Sequence, residues 1–186
     1  MDPPPPETSP EHPRMSDRVL MNGTATHLAL TQDGSLRWTD EKGQRKELNL
    51  EKEVLGFVSE GVKLRIKAIV AGDDVFCCVG GNNEGGALVR KDFVFEPFNL
   101  ESQKLWCHHL RDYLDSVGRP KRLFIFVNPF GGKKSACKVF LDDVRPLLED
   151  ADVQITVQET KYQLHAKEVV SSMDLTKYDG IVCVSG

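Results

Sequence analysis

The chain has 186 residues, a formal net charge of -4 and 40% hydrophobic residues. That balance belongs to a globular protein, and the acidic net charge argues against a general nucleic-acid binder, which needs a basic face. Five cysteines, an odd number with no C-x-x-C pair, argue against a disulfide framework or zinc site and fit free thiols in a reducing compartment.

The N-terminus, Met1-Asp2-Pro3-Pro4-Pro5-Pro6, lacks a basic region followed by an apolar core, so it is no secretory signal. No apolar run approaches the ~20 residues that cross a bilayer, so any membrane contact is expected to be peripheral. Residues 1–16, rich in Pro, Glu and Ser, read as a disordered tail. A polyproline II ligand is the alternative reading of that tail.

From 17 to 98 the pattern is β. Residues 26–31 alternate, and Asp33-Gly34 turns the chain into Ser35-Leu36-Arg37-Trp38, a hairpin signal. Residues 54–58, 62–70, 75–79 and 88–95 read as further strands, with Cys77-Cys78 as strand residues rather than a redox pair. Lys63-Leu64-Arg65-Ile66-Lys67 alternates charge with apolarity, so one face is wet. The run 80–86 is a glycine-rich surface loop. Lys42, Arg45 and Lys46 read as a solvated hairpin, with a phosphoinositide patch as the alternative. A helix follows with Asn99 as N-cap, an apolar stripe through Leu105, Trp106, His109, Leu110, Tyr113, Leu114 and Val117, and Gly118 as its stop. About seven short strands capped by one amphipathic helix outline a pleckstrin-homology-like (PH-like) domain over 17–118.

From Lys121 the period changes. Residues 122–127 form a nearly continuous apolar run, as in a strand covered on both faces. Ala136, Val139, Phe140, Val144, Leu147 and Leu148 recur at helical spacing, with Pro146 bending the final turn. Residues 153–157 form the next strand. Thr160-Lys161-Tyr162-Gln163 reads as a capping box for a helix carrying Tyr162, Ala166, Val169, Val170 and Met173, with His165 one turn in. Residues 181–184 are the last strand. The order βαβαβ predicts a parallel sheet with right-handed crossovers and a ligand beyond the strands' carboxyl ends, where Asn128, Thr160 and Ser185 fall.

Asn128-Pro129-Phe130-Gly131-Gly132-Lys133 matches neither G-x-x-x-x-G-K-[ST] nor G-x-G-x-x-G. The residues alone leave two readings open. One is a phosphate loop, in which Gly131 and Gly132 expose amides, the helix behind adds a partial positive end, and Lys133 and Lys134 add charge. The other is an ordinary strand-to-helix turn. Thr160 reads first as a cap, His165 as a packing or surface residue, and the histidines show no metal spacing.

Together these residues resemble the diacylglycerol-kinase-type catalytic domain, and within it the sphingosine (sphingoid long-chain base) kinases, plant-type in particular. The likeness rests on Phe126 to Lys133, on Glu159 to Ala166 with its Thr and His-Ala, and on Tyr178 to Gly186 leading into a Ser-Gly signature. It covers roughly residues 120–186, an incomplete catalytic domain within 119–186. The resemblance implies ATP-dependent phosphorylation of the primary hydroxyl of a sphingoid base with Mg²⁺, in a cytoplasmic protein that touches intracellular membranes peripherally and binds no nucleic acid. It puts Asn128 and Phe130 at the nucleotide and Gly131, Gly132 and Lys133 at its phosphates. Thr160, Lys161, Tyr162, Gln163 and Leu164 would line the pocket, with Ser185 and Gly186 beside phosphate and substrate. The family's catalytic Asp follows Ser-Gly, so no catalytic residue is expected within the 186, and these residues alone are expected to be inactive. A ceramide or diacylglycerol kinase is the same-class alternative, which Ser185 disfavours. A non-catalytic PH-like lipid- or protein-binding module is the other.

Overall fold

Residues 13–72 and 87–186 are described by a computed structural model. The expected strand at 75–79 with Cys77 and Cys78, the loop at 80–86 and most of the expected tail lie outside the described residues. The chain divides into two units, Met1–Val117 and Gly118–Gly186.

Alternation builds the first unit. Its strands are β1 (Met15–Met21), β2 (Thr24–Leu30), β3 (Ser35–Thr39), β4 (Arg45–Asn49), β5 (Val54–Glu60), β6 (Lys63–Ala71) and β7 (Leu88–Pro97), followed by helix α1 (Leu100–Ser116). They hydrogen-bond in the order β4-β3-β2-β1-β7-β6-β5, every neighbour antiparallel. On β6, Leu64, Ile66 and Ala68 point inward while Lys63, Arg65 and Lys67 stay at the surface, as the alternation predicted. One core gathers Leu28, Leu36, Trp38, Leu48, Ile66, Phe93 and Phe95 from the strands and Trp106 and Leu110 from α1.

Arg45 and Lys46 lie on strand β4 of a hairpin with β3, as read. Two details differ from the sequence reading. β1 begins at Met15, inside the expected tail. Leu105 does not join the core stripe; it is 53% exposed. Asn99 does cap α1, its side chain accepting from the Ser102 amide at 2.8 Å. Among the described residues no helix is long and apolar enough to cross a membrane.

In the second unit β8 (Arg122–Asn128) is flanked by β10 (Gly180–Ser185) and β9 (Gln154–Glu159), all parallel, in the order β10-β8-β9. The five residues Leu123 to Val127 are all buried, as the apolar run predicted. Leu123, Ile125 and Val127 face a helical run and pack with Ala136, Phe140, Val144 and Leu148. Phe124 and Phe126 face the other way, ring centroids 4.9 Å apart, with Tyr178 edge-on to Phe124.

That helical run is α2 (Ala136–Val139), a π turn (Phe140–Val144) and α3 (Arg145–Asp150). Pro146 was expected to bend the last turn. Instead it sits at the start of α3, just after the π turn in which the Arg145 amide reaches back to the Phe140 carbonyl. The widened turn absorbs the missing proline N–H. Helix α4 (His165–Ser172) and a 3₁₀ turn (Leu175–Lys177) lead to β10.

Two devices set these units. At the β2–β3 turn Gly34 has φ +80°, and a Cβ there would lie 2.0 Å from the Tyr113 ring, whose hydroxyl donates to the Asp33 carbonyl at 2.9 Å. Gly34→Ala should therefore lower stability by about 2 kcal/mol. Thermal unfolding checks this, and adding Tyr113→Ala should restore only the steric share. In the second unit, the Asp179 carboxylate accepts from the Lys121 amide at 2.8 Å, the Arg122 amide at 2.9 Å and the Arg122 guanidinium at 3.0 Å. These donors, the Lys121 amide foremost, hold its pKa below the usual carboxylate value. A depressed folded-state pKa stabilises above the unfolded value, about 4, and that stability is lost as pH falls through this range and below. Asp179→Asn should melt below the wild type at about pH 6 and converge with it towards about pH 3.

Candidate nucleotide cleft

Parallel pairing brings three strand tips to one edge of the sheet. Ser185 lies opposite Asn128, and Glu159 lies opposite Val127. The chain leaves β8 for β9 on one side and later returns to β10 on the other, so β8 borders the switch point where such sheets bind ligands.

Beyond β8 the Asn128 Oδ1 accepts the Phe130 amide at 3.1 Å, folding the loop back on the strand. The Thr160 amide donates to the Val127 carbonyl at 2.9 Å. Its hydroxyl lies 3.5 Å from both that carbonyl and Asn128 Oδ1, stitching the end of β9 to that of β8.

Gly131 is set by close approach: a Cβ would lie 2.6 Å from Ser185 Oγ and 2.9 Å from Asn128 Nδ2. At Gly132, φ +51°, a Cβ would fall 1.4 Å from the Gly186 carbonyl oxygen. Lys134 is left-handed at φ 58°, and its amide donates to Gly131 at 2.9 Å. The loop thus needs a positive φ at a residue with a Cβ, and spends backbone strain there.

The capping box is not formed. α4 begins at His165, five residues after Thr160, and the residue before it, Leu164, is left-handed at φ 70° with no side-chain cap. Local spacing gave way to sheet pairing, because the Thr160 amide is already bound to β8. His165 opens the helix rather than sitting one turn into it. Its Nδ1 accepts the Lys161 amide at 3.2 Å, and its ring lies 4.8 Å from the Tyr162 ring. The Tyr162 hydroxyl donates to Glu168 at 2.7 Å, and that carboxylate raises the phenol's pKa.

Between these walls is a cleft of about 620 Å³, within the usual range for small-molecule sites. Asn128, Phe130, Gly131, Thr160, Lys161, Tyr162, Gln163 and Leu164 line it. Gly132, Lys133, Ser185 and Gly186 do not; Ser185 backs Gly131 and Gly132 touches Gly186. Phe126, Cys183, His165 and Ala166 also line it and were not among the expected site residues. Phe126 and Cys183 are paired across β8 and β10, on the face opposite the α2–α3 run. An unbroken apolar run carries no periodicity to tell its two faces apart; the Tyr178–Phe124 contact does. His165 and Ala166 had a signal in the His-Ala of the second motif.

The cleft is apolar at its mouth, where Phe130 and Leu164 are each 64% exposed, and lined by main chain towards Gly131. Among the described residues no group of three or more His, Cys, Asp or Glu could hold a metal ion.

The second unit is thus a short parallel sheet with a glycine loop beyond β8 and a Thr-bearing loop beyond β9. Residues 122–186 match the diacylglycerol kinase catalytic domain family. It is 60% identical to sphingosine kinase 2 of Arabidopsis thaliana over 90% of its own length and 34% of the relative's. It is 57% identical to sphingosine kinase 1 of the same plant over 92% of its length and 34% of the relative's. It is 40% identical to human ceramide kinase over 44% of its length and 16% of the relative's. The chain thus spans about a third of the length of the plant kinases it matches.

Gly131→Ala should force Ser185 or Asn128 aside and cost the second unit about 1–3 kcal/mol. The amide spectrum should report it: shifts at Asn128, Thr160 and Ser185, with β1–β7 unmoved. An unchanged spectrum would mean that the loop does not press on these side chains.

Proposed function

We propose that the second unit is the nucleotide-binding side of an ATP-dependent lipid kinase that phosphorylates the primary hydroxyl of sphingoid long-chain bases. One observation carries this reading: the ends of the adjacent parallel strands β8 and β9 deliver Asn128, Gly131 and Thr160 to a single cleft of about 620 Å³, which Cys183 of β10 also lines. Phosphoryl transfer needs positioning and charge neutralisation more than covalent participation by the protein. Bound ATP supplies the phosphoryl group. The apolar lining of Phe126, Phe130 and Leu164 suits a base, while the Gly131–Gly132 turn offers main chain and Lys133 offers charge to phosphates. Asn128 and Thr160 fix the two walls, with Lys161, Tyr162 and Gln163 shaping the second. Ser185 and Gly186 border the phosphate end, where a lipid hydroxyl would approach. The described residues form no self-sufficient metal site, so Mg²⁺, which keeps much of its shell as water and phosphate, would arrive with the nucleotide.

The first unit is read as a PH-like domain over 17–118. Its antiparallel order β4-β3-β2-β1-β7-β6-β5 with a closing C-terminal helix supports that reading. A lipid substrate calls for peripheral contact with a membrane surface from the cytoplasm.

Calorimetric titration of the 186-residue chain with ATP should give saturable binding, weakened about tenfold by Thr160→Ala or Asn128→Ala. No binding would overturn the nucleotide reading. For the substrate, this chain should replace the matching third of Arabidopsis sphingosine kinase 2. The chimera should phosphorylate sphingosine in preference to ceramide or diacylglycerol, and the reverse preference would remove the sphingoid assignment.

A further inference from the structure

The wall of the cleft made by residues 160–164 has an unusual construction. It turns into α4 through a left-handed leucine and has no N-cap side chain. A non-glycine residue in that conformation persists only where its surroundings hold it. The His165 amide donates to the Tyr162 carbonyl at 3.2 Å, and the His165 imidazole accepts the Lys161 amide, also at 3.2 Å. Tyr162 is itself pinned, its ring 4.8 Å from the imidazole and its hydroxyl 2.7 Å from Glu168. One side chain thus closes the loop that contains the strained residue, and the same residues face the cleft.

We propose that His165 is a positioning residue: by accepting the Lys161 amide on Nδ1, it latches the Thr160–Leu164 wall in its nucleotide-binding shape. The inference rests on the nucleotide-binding reading of this cleft. Its chemistry follows from the inventory of the imidazole. The neutral ring has one donor and one acceptor nitrogen, so accepting at Nδ1 places the proton on Nε2. Glu168 accepts from the Tyr162 hydroxyl and so holds the ring that packs against the imidazole.

The test uses the full chain and two readouts, hydrogen exchange at the Lys161 amide and calorimetric ATP affinity. His165→Phe keeps a ring against Tyr162 and removes the acceptor. It should speed Lys161 exchange and weaken ATP binding, each by about tenfold. His165→Asn, whose side-chain oxygen replaces Nδ1 as acceptor, should recover most of both. Unchanged exchange and affinity in His165→Phe, or an Asn variant no better than Phe, would overturn the latch. If the wild type binds no ATP, the nucleotide reading fails while Lys161 exchange still decides whether the latch exists.

Discussion

The register of β8 between its two parallel neighbours is the constraint on which the second unit depends. Side chains alternate along a strand, so a slip of one residue would exchange its two faces. Phe124 and Phe126 would then meet the α2–α3 run, and Ile125 and Val127 the cleft. Both ends of the strand are fixed against this. At the start, Asp179 takes the Lys121 and Arg122 amides, and Gly180 sits so close to Leu123 that a Cβ there would lie 3.2 Å from its methyl. At the end, the Thr160 amide takes the Val127 carbonyl. Asn128 and Ser185 are neighbours because those contacts leave no other pairing.

The site is built from the main chain more than from charged side chains. Gly131 and Gly132 are small because Ser185, Asn128 and Gly186 press against them. Where the loops need left-handed backbone and carry no glycine, they use Lys134 and Leu164. Among the described residues, the other non-glycine positions with positive φ, Asn22 and Asp152, are of the types that tolerate it in turns. Among these residues, strain without that tolerance falls in the two loops flanking the cleft, where the surrounding hydrogen bonds must hold it.

What the sequence made legible follows the same physics. Strands with one wet and one dry face announced themselves, as β6 does in Lys63-Leu64-Arg65-Ile66-Lys67. β4 did not, because Arg45-Lys46-Glu47-Leu48-Asn49 buries only Leu48 and owes its existence to pairing with β3. Asn99 and Gly118 bounded α1 correctly, since nothing nonlocal competes there, whereas Leu105 lies on a flank that the apolar spacing could not separate from the core. At the cleft, Asn128, Gly131 and Thr160 could be placed because each follows the end of an apolar run. The roles of Thr160 and His165 could not. Thr160-x-x-Gln163 satisfies the local capping rule, and only the β8–β9 ladder reveals that the Thr160 amide is already taken.

Burial in the second unit falls steeply from its centre to its edges. Five consecutive residues of β8 are buried, one residue of β10, and none of β9. Local opening takes place where few apolar contacts oppose it. The Asn128 wall extends directly from the buried strand and inherits its rigidity. The Thr160–Leu164 wall extends from the least buried strand and leads into α4, which buries no residue fully. Packing therefore cannot fix that wall; its shape rests on the few polar contacts that close it. A cleft with one wall held by its core and the other by hydrogen bonds is adjustable on one side only. That is why a single imidazole nitrogen can matter to a site of several hundred cubic ångströms.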